Sequence, residues 1–69
     1  MAKLLLVKHP VLANGYVDDS FTVVRTYNAY DSDHALRVRD SYNRRHVNWW
    51  YEVYHRTAEG QMIFVTSLS

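Results

Sequence analysis

Residues 47–57 read Val47-Asn48-Trp49-Trp50-Tyr51-Glu52-Val53-Tyr54-His55-Arg56-Thr57. The run is rich in aromatic and β-branched residues, which favour extended backbone, and we predict that it forms one β-strand. Successive side chains of a strand point to opposite faces, so Trp49, Tyr51 and Val53 would share one face, and Trp50, Glu52 and Tyr54 the other. Both faces then carry large aromatic rings. This is more than one face of a small sheet can bury, and the segment therefore also indicates a contact surface.

Three further strands and one helix are predicted around this strand. They are strands over residues 3–12, 20–27 and 61–68, and a helix that begins at Asp31 or Ser32 and ends at Asn43 or Arg45. Asn14-Gly15 and residues 58–60 have the composition of turns, and a positive φ is expected at Gly60. The continuous apolar run over residues 4–7 is typical of a strand that is covered on both faces.

The predicted helix is amphipathic. Asp31 or Ser32 is expected to cap its first N–H groups. The side chains expected to face the core are Ala35, Leu36, Val38 and Tyr42, which recur at helical spacing.

This ββαββ order predicts an α+β fold, with one helix packed on a four-stranded, largely antiparallel sheet in a single domain over residues 1–69. One helix can cover only one face of such a sheet. The other face needs a second occupant, which would be another copy of the chain, a partner protein or a nucleic acid.

Composition limits the chemistry of the chain. It has 69 residues and no cysteine, which excludes disulfides and cysteine-based zinc sites. A core of this size supplies only about 3–5 kcal/mol of net stability, so a homodimer would be one route to further burial. The four histidines lack the spacing of a metal site, and no nucleophile motif or phosphate-binding loop is present. We expect no metal, no cofactor and no enzymatic activity.

The short apolar run near the N-terminus is too brief for a signal-peptide core or a membrane span. We therefore expect a cytoplasmic protein that does not enter a membrane.

Positive charge is concentrated in the middle of the chain. The net charge is +1, but residues 34–56 contain five arginines against Asp40 and Glu52, a local balance of +3. Such a patch attracts phosphate groups or an acidic protein surface. The overall pI of about 8.1 is below the value above 9 that is usual for a dedicated DNA-binding domain.

The segment Tyr27-Asn28-Ala29-Tyr30-Asp31-Ser32-Asp33-His34-Ala35-Leu36 resembles a strand-to-helix junction of small phage proteins. It is similar to the T7-type phage inhibitors of host RNA polymerase, which place an aromatic-rich hairpin after that helix. The resemblance covers residues 21–56 and implies a small host-takeover protein that acts by binding. The helix is cationic here and acidic in that family, so no functional residue is carried over.

These observations predict a non-enzymatic binding protein, of the phage modulator type, that sterically occupies a host protein or another acidic macromolecular surface. The expected contact residues are Arg44, Arg45, Trp50, Tyr54 and Arg56. Arg, Trp and Tyr are the residue types most enriched at binding hot spots.

Two alternatives remain at this point. The same patch would suit nucleic acid, because arginines contact phosphates and exposed aromatic rings stack on bases. A metal-independent ribonuclease that uses His46 or His55, with Arg44, Arg45 and Tyr51 nearby, is a more remote one.

Overall fold

The computed structural model describes residues 3–65 and confirms the α+β fold. Its elements are β1 (Lys3–Pro10), β2 (Thr22–Asn28), a 3-10 helix (Ala29–Asp31), α1 (Ser32–Arg45), β3 (Trp49–Arg56) and β4 (Met62–Val65). The predicted continuation of the last strand to Leu68 lies outside the described residues.

The sheet has the strand order β2-β1-β3-β4, and all three neighbouring pairs are antiparallel. β2 and β3 are therefore parallel to each other with β1 between them, and α1 joins them by crossing over β1. The run from Leu4 to Val7 is buried throughout, which confirms that the side chains on both faces of this strand are buried, although α1 packs on only one of the two faces.

The core lies between α1 and one face of the sheet. Its buried members are Leu4, Leu6, Tyr27, Ala35, Leu36, Tyr51 and Val53, and Val38 and Tyr42 pack at its margin. The predicted core-facing side of the helix is thus confirmed. Leu6 and Val53 are fully buried, and full burial of such a side chain contributes about 1.5–3 kcal/mol.

The predicted helix cap is wrong. Asp31 occupies the cap position, but its backbone angles (φ −96°, ψ 22°) are not extended, and its side chain makes no capping hydrogen bond. Capping side chains reach the free N–H groups from extended backbone. Here the 3-10 helix leads the chain directly into α1, and Ser32 is already the first residue of the helix.

Two glycine turns close the hairpins. Gly15 and Gly60 have φ values of +89° and +87°, so the positive φ expected at Gly60 is confirmed. In each turn the glycine N–H donates to the carbonyl three residues earlier, at Leu12 and Thr57 respectively. β1 ends at Pro10 rather than at Leu12, and an isolated bridge between Val11 and Val17 holds the rest of the hairpin together.

Candidate contact surface

The sheet face that is turned away from α1 is defined here as the open face. Strand alternation and register place on it Leu5, Val7 and His9 of β1, Val23 of β2, Trp50, Glu52, Tyr54 and Arg56 of β3, and Met62 and Phe64 of β4. The predicted division of the third strand into two faces is confirmed, because Tyr51 and Val53 lie in the core on the other side.

Large apolar side chains remain accessible on the open face. Trp50 is 43% exposed and Phe64 is 47% exposed, and Phe21 and Val23 are exposed beside them. Contiguous apolar surface of this kind marks interaction sites more often than scattered single residues do.

Tyr54 is at the centre of an aromatic group on this face. Its ring centroid lies 5.5 Å from that of Phe64, 6.2 Å from that of His9 and 6.4 Å from that of Phe21. The Phe64 and His9 rings meet it edge to face, an arrangement that is favourable for aromatic pairs. Tyr54, His9 and Phe64 come from three different strands, and Phe21 lies immediately before β2.

His9 fastens the β1–β2 loop onto the open face. Its Nδ1 lies 3.1 Å from the Asp18 carbonyl oxygen and 3.0 Å from that of Ser20. Carbonyl oxygens only accept, so Nδ1 carries the proton and donates. On the other side of the ring, Nε2 lies 3.4 Å from the Tyr54 hydroxyl oxygen, which is a long hydrogen-bond contact.

Glu52 is the buried carboxylate of this face. It is only 7% exposed and lies beside Val7 of β1, where its Oε1 accepts a hydrogen bond from the Trp50 indole Nε1. The only arginine–carboxylate pairs within residues 3–65 are Arg37–Asp33 and Arg39–Asp40. Glu52 therefore has no cationic partner within that range.

An open cleft of about 260 Å³ combines these features. We call it the acidic cleft. The side chains that matter for its chemistry are His9, Asp19, Trp50, Glu52, Tyr54 and Phe64, with Asp18 at its edge. Burial raises the pKa of the Tyr54 hydroxyl, and the negative charges of Glu52 and Asp19 raise it further. The carboxylates thus give the cleft a negative electrostatic potential.

The five predicted contact residues do not form one surface. Trp50, Tyr54 and Arg56 lie on the open face, whereas Arg44 and Arg45 are exposed at the end of α1 in the helix layer. Trp50 and Arg56 are themselves about 20 Å apart, since a strand rises about 3.3 Å per residue. The two arginines are separated from the other three residues because α1 packs on the opposite face of the sheet.

The residues of the ribonuclease alternative are also separated. His46 follows α1, with its ring 5.7 Å from that of Tyr51, whereas His55 lies near the other end of β3. The His55 Nε2 is buried and has no hydrogen-bond partner among the described residues. Burial raises the pKa of the Tyr51 hydroxyl, and Tyr42 raises it further.

Asn43 joins the helix end to the start of β3. Its Oδ1 accepts from the Tyr51 N–H at 2.7 Å, and its Nδ2 donates to the Tyr51 carbonyl at 3.1 Å. A second cleft, of about 470 Å³, lies beside this junction, and Trp50 lines both this cleft and the acidic cleft. The exposed indole thus stands between two concave regions.

His9, Asp18, Asp19 and Glu52 were missed as site residues by the sequence reasoning. Asp is a common turn residue, so Asp18 and Asp19 have a sufficient explanation in their own loop, and no local pattern links them to a strand 30 positions later. The signal for His9 and Glu52 was present, because strand alternation already puts Glu52 beside Trp50 and Tyr54, and His9 in line with Leu5 and Val7.

Comparison of the chain with family models, curated proteins and solved structures finds no match. Over residues 3–65, none of the helical segments has the length and apolar character required to cross a bilayer. The same residues contain no group of three or more His, Cys, Asp or Glu side chains arranged to hold a metal ion.

Proposed function

We propose that this protein is a non-enzymatic binding protein of the cytoplasm that occupies the surface of another macromolecule with its open face. One observation carries the proposal: the exposed aromatic side chains Phe21, Trp50 and Phe64 gather on the one sheet face that α1 leaves uncovered. A phage-type modulator of a host protein, as the resemblance implies, would be one form of this steric activity.

Trp50 is the expected centre of the contact. It is rigidly placed on β3, half exposed and flanked by two clefts, which is how hot-spot residues are commonly arranged. Truncation of a hot-spot residue weakens binding by about 2 kcal/mol or more, which is about 30-fold.

The test is capture of partners from a bacterial lysate with the tagged full-length protein, with and without nuclease. Trp50→Ala and Phe64→Ala should each abolish capture of a partner that survives nuclease. Tyr30→Ala is the matched control, because this aromatic side chain is 83% exposed but lies in the 3-10 helix away from the open face. Equal capture by all four proteins would refute the proposal.

Self-association is tested by sedimentation velocity of the same proteins. A homodimer that Trp50→Ala dissociates would assign the open face to a second copy of this chain. A monomeric wild-type protein would leave the face free for a different macromolecule.

Nucleic-acid binding is a second candidate, favoured by one observation at the helix end. Neither Arg44 nor Arg45 pairs with a carboxylate among the described residues, and Arg45 donates only to the Ser41 hydroxyl, at 2.9 Å. This function predicts affinity for RNA or DNA that falls steeply with salt. It also predicts that Arg44→Ala with Arg45→Ala removes the binding while Trp50→Ala does not.

A further inference from the structure

We propose that the acidic cleft binds a cationic side chain, an arginine or a lysine, presented by a basic segment of the partner protein. The inference rests on the proposed function and names the chemistry that the open face would recognise.

Charge is the first argument. Asp18, Asp19 and Glu52 line the cleft, and no lysine or arginine does. None of these three carboxylates pairs with a cationic side chain among residues 3–65. Asp18 accepts a hydrogen bond from the Ser20 hydroxyl at 2.8 Å, which leaves its charge uncompensated. A phosphate or carboxylate ligand would be repelled here, whereas a cation would be attracted.

Burial of Glu52 is the second argument. A buried carboxylate is destabilising unless it is paired or fully hydrogen-bonded. Glu52 accepts one hydrogen bond within the described residues, from Trp50, although an ionised carboxylate can accept several. A guanidinium or ammonium group that entered the cleft would donate to the acceptor positions of Glu52 that Trp50 does not occupy.

The aromatic walls are the third argument. Trp50, Tyr54 and Phe64 line the cleft beside the carboxylates. A cation is attracted to the face of an aromatic ring, most strongly to that of Trp. The Trp50 N–H is already donated to Glu52, so it does not compete with a cation for another acceptor in the cleft.

The Nδ1–H of His9 is directed to the backbone carbonyls of Asp18 and Ser20, so it does not compete with a cation for the carboxylates of the cleft. The cleft volume of about 260 Å³ is below the ~300–1,000 Å³ that is typical of sites for whole small molecules. It therefore suits one side chain of a larger partner.

The experiment is a titration of the ¹⁵N-labelled full-length protein with a short peptide that contains one central arginine, followed at the Trp50 indole N–H resonance. The control peptide carries citrulline, which keeps the shape of arginine without its charge. We expect the arginine peptide to shift this resonance and the citrulline peptide to leave it in place. Trp50→Phe assigns the signal.

Two variants test the carboxylates. Glu52→Gln and Asp19→Asn should each weaken peptide binding by about 5-fold or more, which corresponds to the loss of about 1 kcal/mol. Asp19 is exposed, so Asp19→Asn keeps the test valid if Glu52→Gln does not fold. Asp40→Asn, an exposed carboxylate on α1, is the matched control and should bind like the wild type.

Equal shifts with both peptides, or unchanged binding by Asp19→Asn, would overturn the inference. If partner capture still depends on Trp50 in that case, the proposed function stands without it. Arg56 lies on the same open face and could occupy the cleft of a second copy of the chain. If Arg56→Gln dissociates a dimer, the cleft is filled by that second copy. That result would overturn the assignment to a different partner.

Discussion

Replacement of Asn43 by alanine should destabilise the fold by about 2–3 kcal/mol. The Asn43 amide makes two hydrogen bonds to the backbone of Tyr51, with its oxygen as acceptor and its nitrogen as donor. Within the described residues, β4 pairs with β3 only from Val53 onward. At Tyr51 the partners of the backbone N–H and carbonyl in that part of the chain are the two amide atoms of Asn43.

The magnitude follows from these two bonds. Each contributes about 1 kcal/mol net, and truncation also leaves a buried N–H and C=O without partners. Against a total stability of about 3–5 kcal/mol for a core of this size, the variant should retain only about 0–3 kcal/mol at 25 °C. The melting temperature should fall by about 10–20 °C, at about 4–8 °C per kcal/mol for such a domain.

Urea unfolding, followed by tryptophan fluorescence and by circular dichroism, measures this loss. Asn48→Ala is the matched control, because Asn48 is exposed and only its backbone carbonyl is engaged, by the Val11 N–H at 3.0 Å. Asn43→Asp keeps the acceptor for the Tyr51 N–H but places a carboxylate oxygen against the Tyr51 carbonyl, so it should not restore stability. A loss below about 0.5 kcal/mol for Asn43→Ala would refute the reasoning, since that is the range of ordinary surface substitutions.

Four further outcomes are expected. Leu6→Ala should cost about 2–5 kcal/mol and lower the urea midpoint followed by circular dichroism more than Asn48→Ala does, because the Leu6 side chain is fully buried. Gly60→Ala should cost about 1 kcal/mol in urea unfolding from its positive φ alone, since nothing lies within 4 Å of the added Cβ. His9→Phe should keep the aromatic packing but speed amide hydrogen exchange over residues 18–20, because the Nδ1 donor is lost. Burial raises the pKa of the Tyr51 and Tyr54 hydroxyls above the ordinary 10.0. Their contribution to the free energy of unfolding should therefore be complete below pH 10 and be lost as the pH rises through the folded-state pKa values. Tyr54→Phe should make the free energy of unfolding, measured with urea, fall less at alkaline pH.

The parts of the fold that sequence reasoning predicts correctly depend on short-range periodicity. The run from Leu4 to Val7 predicts a doubly covered strand, and the structure makes it the central β1. The alternation along β3 predicts which side chains share a face. Both signals follow from the two-residue period of a strand, which any tertiary arrangement must obey.

The parts that it misses depend on contacts distant in sequence. Asp18 and Asp19 have a sufficient local interpretation as turn residues. Their place beside Glu52 and Tyr54 depends on the hydrogen bonds from His9 to that loop and on the bond from the Asp18 N–H to the Pro10 carbonyl. The predicted cap at Asp31 was wrong for a local reason. The preceding 3-10 helix gives Asp31 backbone angles that are not extended, so its side chain does not form the capping hydrogen bond that the composition favours.

The two charged regions, the arginines at the end of α1 and the carboxylates of the acidic cleft, lie in different layers, and this affects how partner experiments should be interpreted. Arg44 and Arg45 lie in the helix layer, while Asp19 and Glu52 lie at the open face, and the net charge of +1 conceals this division. Salt weakens the attraction of an acidic partner to the helix end and of a basic partner to the acidic cleft alike, so salt dependence alone cannot tell the two apart. Removal of individual charges distinguishes the two surfaces. Asp19→Asn should weaken the binding of a basic partner and strengthen or leave unchanged the binding of an acidic one. Removal of the two arginines should have the opposite effects. A partner that responds to both changes in the same direction would have to bridge the two layers, and neither proposed surface would account for it alone.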